Sequence, residues 1–181
     1  MKLRFDAILS CSVLVTAFGV CGCANMQDRS NIPDTLAAPA NQVLALEAMA
    51  TGVQIYECKA NGDSPSKFQW VLKAPEADLY DSNGSKIGRH YAGPTWEALD
   101  GSKVVGEVKE KYTTQDSSAI QWLLLGAQSN SGKGIFSRTA TIQRVNTRGG
   151  KAPTEGCGQA QAGKVSRVPY TATYNFYNPK P

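Results

Sequence analysis

Residues 170–176 read Tyr-Thr-Ala-Thr-Tyr-Asn-Phe. Tyr170, Ala172, Tyr174 and Phe176 fall on one side of an extended chain, and Thr171, Thr173 and Asn175 on the other. Successive side chains of a strand point to opposite faces, so this period of two argues for a strand with one apolar face. The same alternation recurs upstream. Phe68, Trp70 and Leu72 oppose Gln69, Val71 and Lys73, and Val104, Gly106 and Val108 oppose Val105, Glu107 and Lys109. Ile120–Leu125 is apolar on both faces and reads as a strand covered on both sides. Asn61-Gly62, Asn83-Gly84 and Asp100-Gly101 are hairpin turn signals, because Gly, Asn and Asp tolerate the positive φ that such turns need. Gln42–Ala50 is rich in helix formers, yet it alternates up to Gly52 and is read as a strand. The expected fold is all-β: a single β-sandwich or flattened barrel of about eight to ten strands, without repeats.

Composition narrows the function. Leu, Ile, Val and Phe total 36 of 181 residues, a low share for a globular chain, so Trp and Tyr must supply much of the core. A net charge of +4 is too small to argue for a nucleic-acid partner. The chain has one histidine, which excludes a metal centre built on two or three imidazoles, and no metal-ligand spacing occurs. Gly132-Lys133-Gly134 and Gly149-Gly150-Lys151 lack the order of a phosphate-binding loop and read as turns. No cofactor is expected. From Arg138 onward there are seven basic residues and a single acid, Glu155. Such an end suits lipid headgroups or acidic polysaccharide, or is simply solvated.

The N-terminus speaks to compartment. Lys2 and Arg4 precede a mostly apolar run from Ala7 to Val20, the pattern of an export signal, and the run is shorter than the ~20 residues of a membrane span. Val20-Cys21-Gly22-Cys23 resembles a bacterial lipoprotein box, which makes residues 1–22 the signal and Cys23 the acylated residue. Ordinary cleavage near Cys23 or Ala24 is the competing reading. Ala24 is not the Asp associated with inner-membrane retention, so the resemblance points to an outer membrane lipoprotein facing the periplasm or the cell surface, otherwise a secreted protein. Residues 23–42 read as a lipidated tether, and 43–181 as the β domain. Beyond the leader and Cys23, only Cys58 and Cys157 remain, and an oxidising compartment makes a disulfide between them the default.

Ile87–Glu97 is the densest cluster of polar, aromatic and turn residues. His90, Tyr91, Trp96 and Glu97 are candidate ligand contacts, for a glycan, a small molecule or an envelope protein. Trp96, beside Gly93-Pro94, is the tryptophan expected at the surface, whereas Trp70 and Trp122 are expected in the core. An alternative is a hydrolase in which His90, oriented by Glu97 or Asp100, acts as general base. Ser102 or Ser118 would complete a triad, although no GxSxG elbow is present. Glu57 follows Val53 and Ile55 in alternation, onto the face expected to be apolar.

These segments together resemble the bacterial and fungal family catalogued as domain of unknown function 3455. The resemblance spans about residues 33 to 177. It is carried by Gly52-Val-Gln-Ile-Tyr-Glu-Cys58, His90-Tyr-Ala-Gly-Pro-Thr-Trp-Glu97, Asp100-Gly-Ser102, Ser118–Leu125, Thr141–Thr147 before Gly149-Gly150, Cys157, and Val168-Pro-Tyr-Thr-Ala172. It implies secretion and a compact β domain, and it supplies no activity or catalytic residue.

Overall fold

A computed structural model describes residues 32–62 and 64–181. The expected signal, residues 1–22, and the expected acylation site, Cys23, lie outside the described residues. The body contains eight strands: β1 (Gln42–Asn61), β2 (Ser64–Tyr80), β3 (Lys86–Tyr91), β4 (Thr95–Ala98), β5 (Lys103–Tyr112), β6 (Trp122–Ser131), β7 (Thr141–Gly149) and β8 (Val165–Pro179). Each pairs antiparallel with the next, and β8 pairs back onto β1, which closes a barrel. The all-β expectation therefore holds in its barrel form. Gln42–Ala50 is strand, and all three expected turns join hairpins. At Asn83-Gly84, Asp81 Oδ1 accepts from the backbone N–H groups of Asn83 and Ser85, both at 2.9 Å.

Directly opposed residues of an antiparallel pair share a face. One interior row therefore runs Gly52–Ala77–His90–Trp96–Val104 across β1 to β5. A second runs Lys111–Leu123–Arg144–Tyr174–Ala48 across β5, β6, β7, β8 and β1. Small residues on β1 and β2 (Ala48, Ala50, Gly52, Ala77) leave room for Trp96, Tyr174, Phe136 and Phe176, the bulkiest side chains of the core. Gly106 is small for the same reason: a Cβ there would sit 2.9 Å from Trp96 Cζ3.

Strand β1 corrects one expectation. Gln54, Tyr56 and Cys58 face inward and are buried, while Glu57 lies on the outer face between Lys59 and Lys73. Both faces of β1 carry apolar residues, so alternation could not decide which side is inner. The tryptophans are corrected too. Trp96, expected at the surface, is 1% exposed. Trp70, expected in the core, is half-buried and donates from Nε1 to Glu155 O at 2.9 Å, roofed by the β7–β8 loop. Trp122 is half-buried, with its ring 6.1 Å from Tyr112.

The meander sends the β1–β2, β3–β4, β5–β6 and β7–β8 loops to one pole. The remaining loops and both ends of the barrel chain lie at the other pole, where the Lys180 N–H donates to Asn41 O at 2.9 Å. The expected Cys58–Cys157 disulfide is present, with Cα atoms 5.4 Å apart, and it staples the β7–β8 loop to β1. Order begins before Val43. A 3-10 turn at Asp34–Leu36 lies against the outer face of the sheet, Leu36 is fully buried, and its carbonyl accepts from Gln143 Nε2.

Candidate functional site

The β3–β4 hairpin distributes the candidate residues between the two sides of the barrel wall. His90 and Trp96 oppose each other and point inward. Arg89, Tyr91 and Glu97 lie on the outer side, where Glu97 Oε2 accepts from Arg89 Nη2 at 2.6 Å and from Tyr91 Oη at 3.0 Å. Lys103 Nζ is 3.3 Å from Glu97 Oε1. The Arg89 hydrogen bond, reinforced by Tyr91 and Lys103, holds the Glu97 carboxyl below the usual carboxylate range. His90 and Trp96 therefore do not form one binding surface with Tyr91 and Glu97.

His90 is 2% exposed. Its ring stacks on Trp96 at 4.5 Å between centroids and 12° between planes, and meets Tyr174 edge-on at 5.2 Å. Burial pulls its pKa down to about 3, a shift opposed by the hydrogen bond to Thr95 and assisted by the positive field of Arg144. The ring is therefore neutral at ordinary pH. Nδ1 lies 2.9 Å from Thr95 O. A carbonyl only accepts, so Nδ1 carries the proton and Nε2 is a bare acceptor.

The hydrolase constellation is not assembled. Asp100 Oδ1 accepts from the Ser102 hydroxyl at 2.6 Å and the Ser102 N–H at 2.8 Å, and its Oδ2 accepts from the Ile135 N–H at 2.9 Å. Those bonds, the Ser102 hydroxyl first, keep Asp100 ionised to unusually low pH. Ser102 in turn accepts from the Phe136 N–H. Ser118 donates to Asp116. Both serines and both aspartates thus build turns, and neither Glu97 nor Asp100 is a hydrogen-bond partner of His90.

His90 and Trp96 instead border a cavity of about 390 Å³. Its apolar wall is Trp96, Leu72, Val108, Leu123, Leu125 and Pro94; its polar members include Gln54, His90, Gln121 and Tyr174, and its cations are Lys73, Lys111 and Arg144. The volume falls in the range of roughly 300–1,000 Å³ that small-molecule sites occupy. Gln54 Nε2 and Trp96 Nε1 are buried and make no hydrogen bond, whereas the Tyr174 hydroxyl interacts with Tyr170 and Arg144. Buried polar groups usually find partners, so these two unpaired donors set this space apart from a closed apolar core. Burial also pushes the Tyr174 hydroxyl pKa up, which keeps it neutral.

Sequence reading missed Gln54, Tyr174, Arg144 and Lys111. Arg144 was legible, since it follows Ile142 by two and so shares its inward face. Lys111 was not, because an irregularity between Val108 and Glu110 shifts the register and brings both Val108 and Lys111 to the inner side. A second groove, of about 610 Å³, lies outside the wall between Arg89, Glu97, Arg167 and Glu76. Its charges already pair, Arg167 Nη2 with Glu76 Oε1 at 2.7 Å, so it is the poorer site.

These features define an eight-stranded up-and-down antiparallel barrel with a cavity at one pole, an architecture wide enough inside to hold one small ligand. The chain belongs to the protein family of unknown function DUF3455, whose model matches residues 39–178 and so covers nearly all of the barrel. No curated protein matches it.

Proposed function

We propose that this protein is a small-molecule-binding barrel of the bacterial cell envelope, exported by residues 1–22 and held at the outer membrane through acylated Cys23. The observation that carries the binding reading is the cavity of about 390 Å³ with two unpartnered buried donors, from Gln54 and Trp96. A protein that only spaced or stiffened the envelope would fill that volume with side chains, because each unpaired buried polar group costs about 1–3 kcal/mol. The Cys58–Cys157 bond supports the same reading by fixing the loop at the cavity's pole.

The test is ligand-dependent melting of the full exported protein, using 2-naphthoate, 2-naphthylmethanol and 2-naphthylmethylamine as ring-sized probes. A ligand that binds only the folded state at a hundred times its Kd adds about 2.7 kcal/mol of stability. At least one probe is expected to raise Tm, and Val108→Trp, which plugs the inner side near the mouth, is expected to erase the rise. No shift with any of the three would remove the binding reading. For the anchor, labelled palmitate is expected in the wild-type protein and not in Cys23→Ser; equal labelling would exclude Cys23.

A further inference from the structure

Three cations border the cavity and no Asp or Glu does. Arg144 sits on an inward row between Leu123 and Tyr174. Its Nε and Nη2 donate to Gln121 O at 3.1 and 2.8 Å, it also donates to the Tyr174 hydroxyl, and no carboxylate pairs with it among the described residues. Half-buried at the cavity's open side, the guanidinium carries a charge that no side chain neutralises, and an anion there would meet it with little rearrangement. Lys111 also has no acidic partner among the described residues, and Lys73 shares Glu57 with Lys59, at 3.6 and 3.4 Å. The unpartnered Gln54 Nε2 and Trp96 Nε1 are both donors.

From this one-sided arrangement we infer that the cavity takes a small monocarboxylate with an apolar ring or chain, its carboxylate held at Arg144 and Lys111 and its body against Trp96, Leu123 and Leu125. The inference rests on the binding reading above. A cationic ligand would meet three like charges and no acceptor carboxylate. A neutral apolar one would leave the guanidinium uncompensated. Arg144 suits the role because its planar fork can offer two N–H groups to a carboxylate while others stay bound to Gln121.

Titration calorimetry of the full exported protein with the same three probes separates the claims. 2-Naphthoate is expected to bind at least about tenfold more tightly than 2-naphthylmethanol, and the amine least of all. Arg144→Gln should cost the carboxylate about tenfold or more and leave the alcohol unchanged. Arg144→Lys should fall between, and Lys111→Glu, on an exposed side chain, should weaken the carboxylate without altering Tm. Tighter or equal binding of the alcohol would overturn the charge assignment and leave the binding reading standing. Failure of all three probes would end both. If Arg144→Gln does not fold, the Lys111→Glu result and the wild-type ranking decide.

Discussion

At the scale of single residues, Trp96 and His90 form the stacked floor of the cavity, and their spacing in the chain contains the reason. Six residues apart, they flank the turn that Gly93-Pro94 makes, so a two-stranded hairpin must set them opposite each other on one face. The sequence held that signal. What it did not hold was the side of the wall they take, because Tyr91 and Glu97 are equally good ligand residues and alternate with them. Burial gives Trp96 a structural role alongside any contact with ligand. Trp96→Ala should lower stability by about 3–5 kcal/mol, as large aromatic truncations in cores do, read from the urea midpoint. His90 makes stability depend on pH. The unfolded chain takes a proton near 6.5, the folded one near 3, so between those values the unfolded state holds more protons. Stability is therefore full above 6.5 and falls as pH drops, by up to about 1.4 kcal/mol per unit. The lowered carboxyls act lower down, since Glu97 and Asp100 start from 4.5 and 3.8. Over pH 6.5 to 5 the slope should belong to the histidine, and His90→Gln should flatten it whatever its absolute stability. An unchanged slope would place the proton elsewhere.

At the scale of elements, strands were readable where one face is plainly apolar and unreadable where both are. In β8, Tyr170, Ala172, Tyr174 and Phe176 all face in, as the alternation indicates. In β1, Val53 and Ile55 face out while Gln54 and Tyr56 face in, an inversion that hydrophobicity cannot reveal because the inner wall must stay polar and small around a cavity. Register irregularities were equally hidden, and the one between Val108 and Glu110 turns the exposed Lys111 toward the cavity's rim. Close packing between elements makes Gly106 a sharp probe. Gly106→Ala places a methyl 2.9 Å from Trp96, and overpacking of this kind costs about 1–3 kcal/mol, more than a strand alanine returns. Pairing it with Trp96→Phe should recover part of that loss. Strict additivity of the two changes in the urea midpoint would show that they do not touch.

At the scale of the whole molecule, closure and the disulfide compensate for a sparse aliphatic core. The Cys58–Cys157 bond links residues 99 apart. The chain-entropy estimate for a loop of that size is about 4.7 kcal/mol, less whatever the denatured state already retains. Cys58→Ser, or reduction of the wild-type protein, should lower the urea midpoint by a large fraction of total stability; an unaltered midpoint would mean the bond is idle in folding. The pairing was legible from the cysteine count together with the expectation of export. The docking of Leu36 was not, because a lone leucine among polar residues and prolines carries no period. The chain enters the barrel at Gln42 and leaves it at Pro179, side by side, at the pole away from the β3–β4 and β5–β6 loops that rim the cavity. A sensor chip, an affinity tag or a fluorescent reporter joined after Pro181, two residues beyond β8, would thus leave the opening unobstructed.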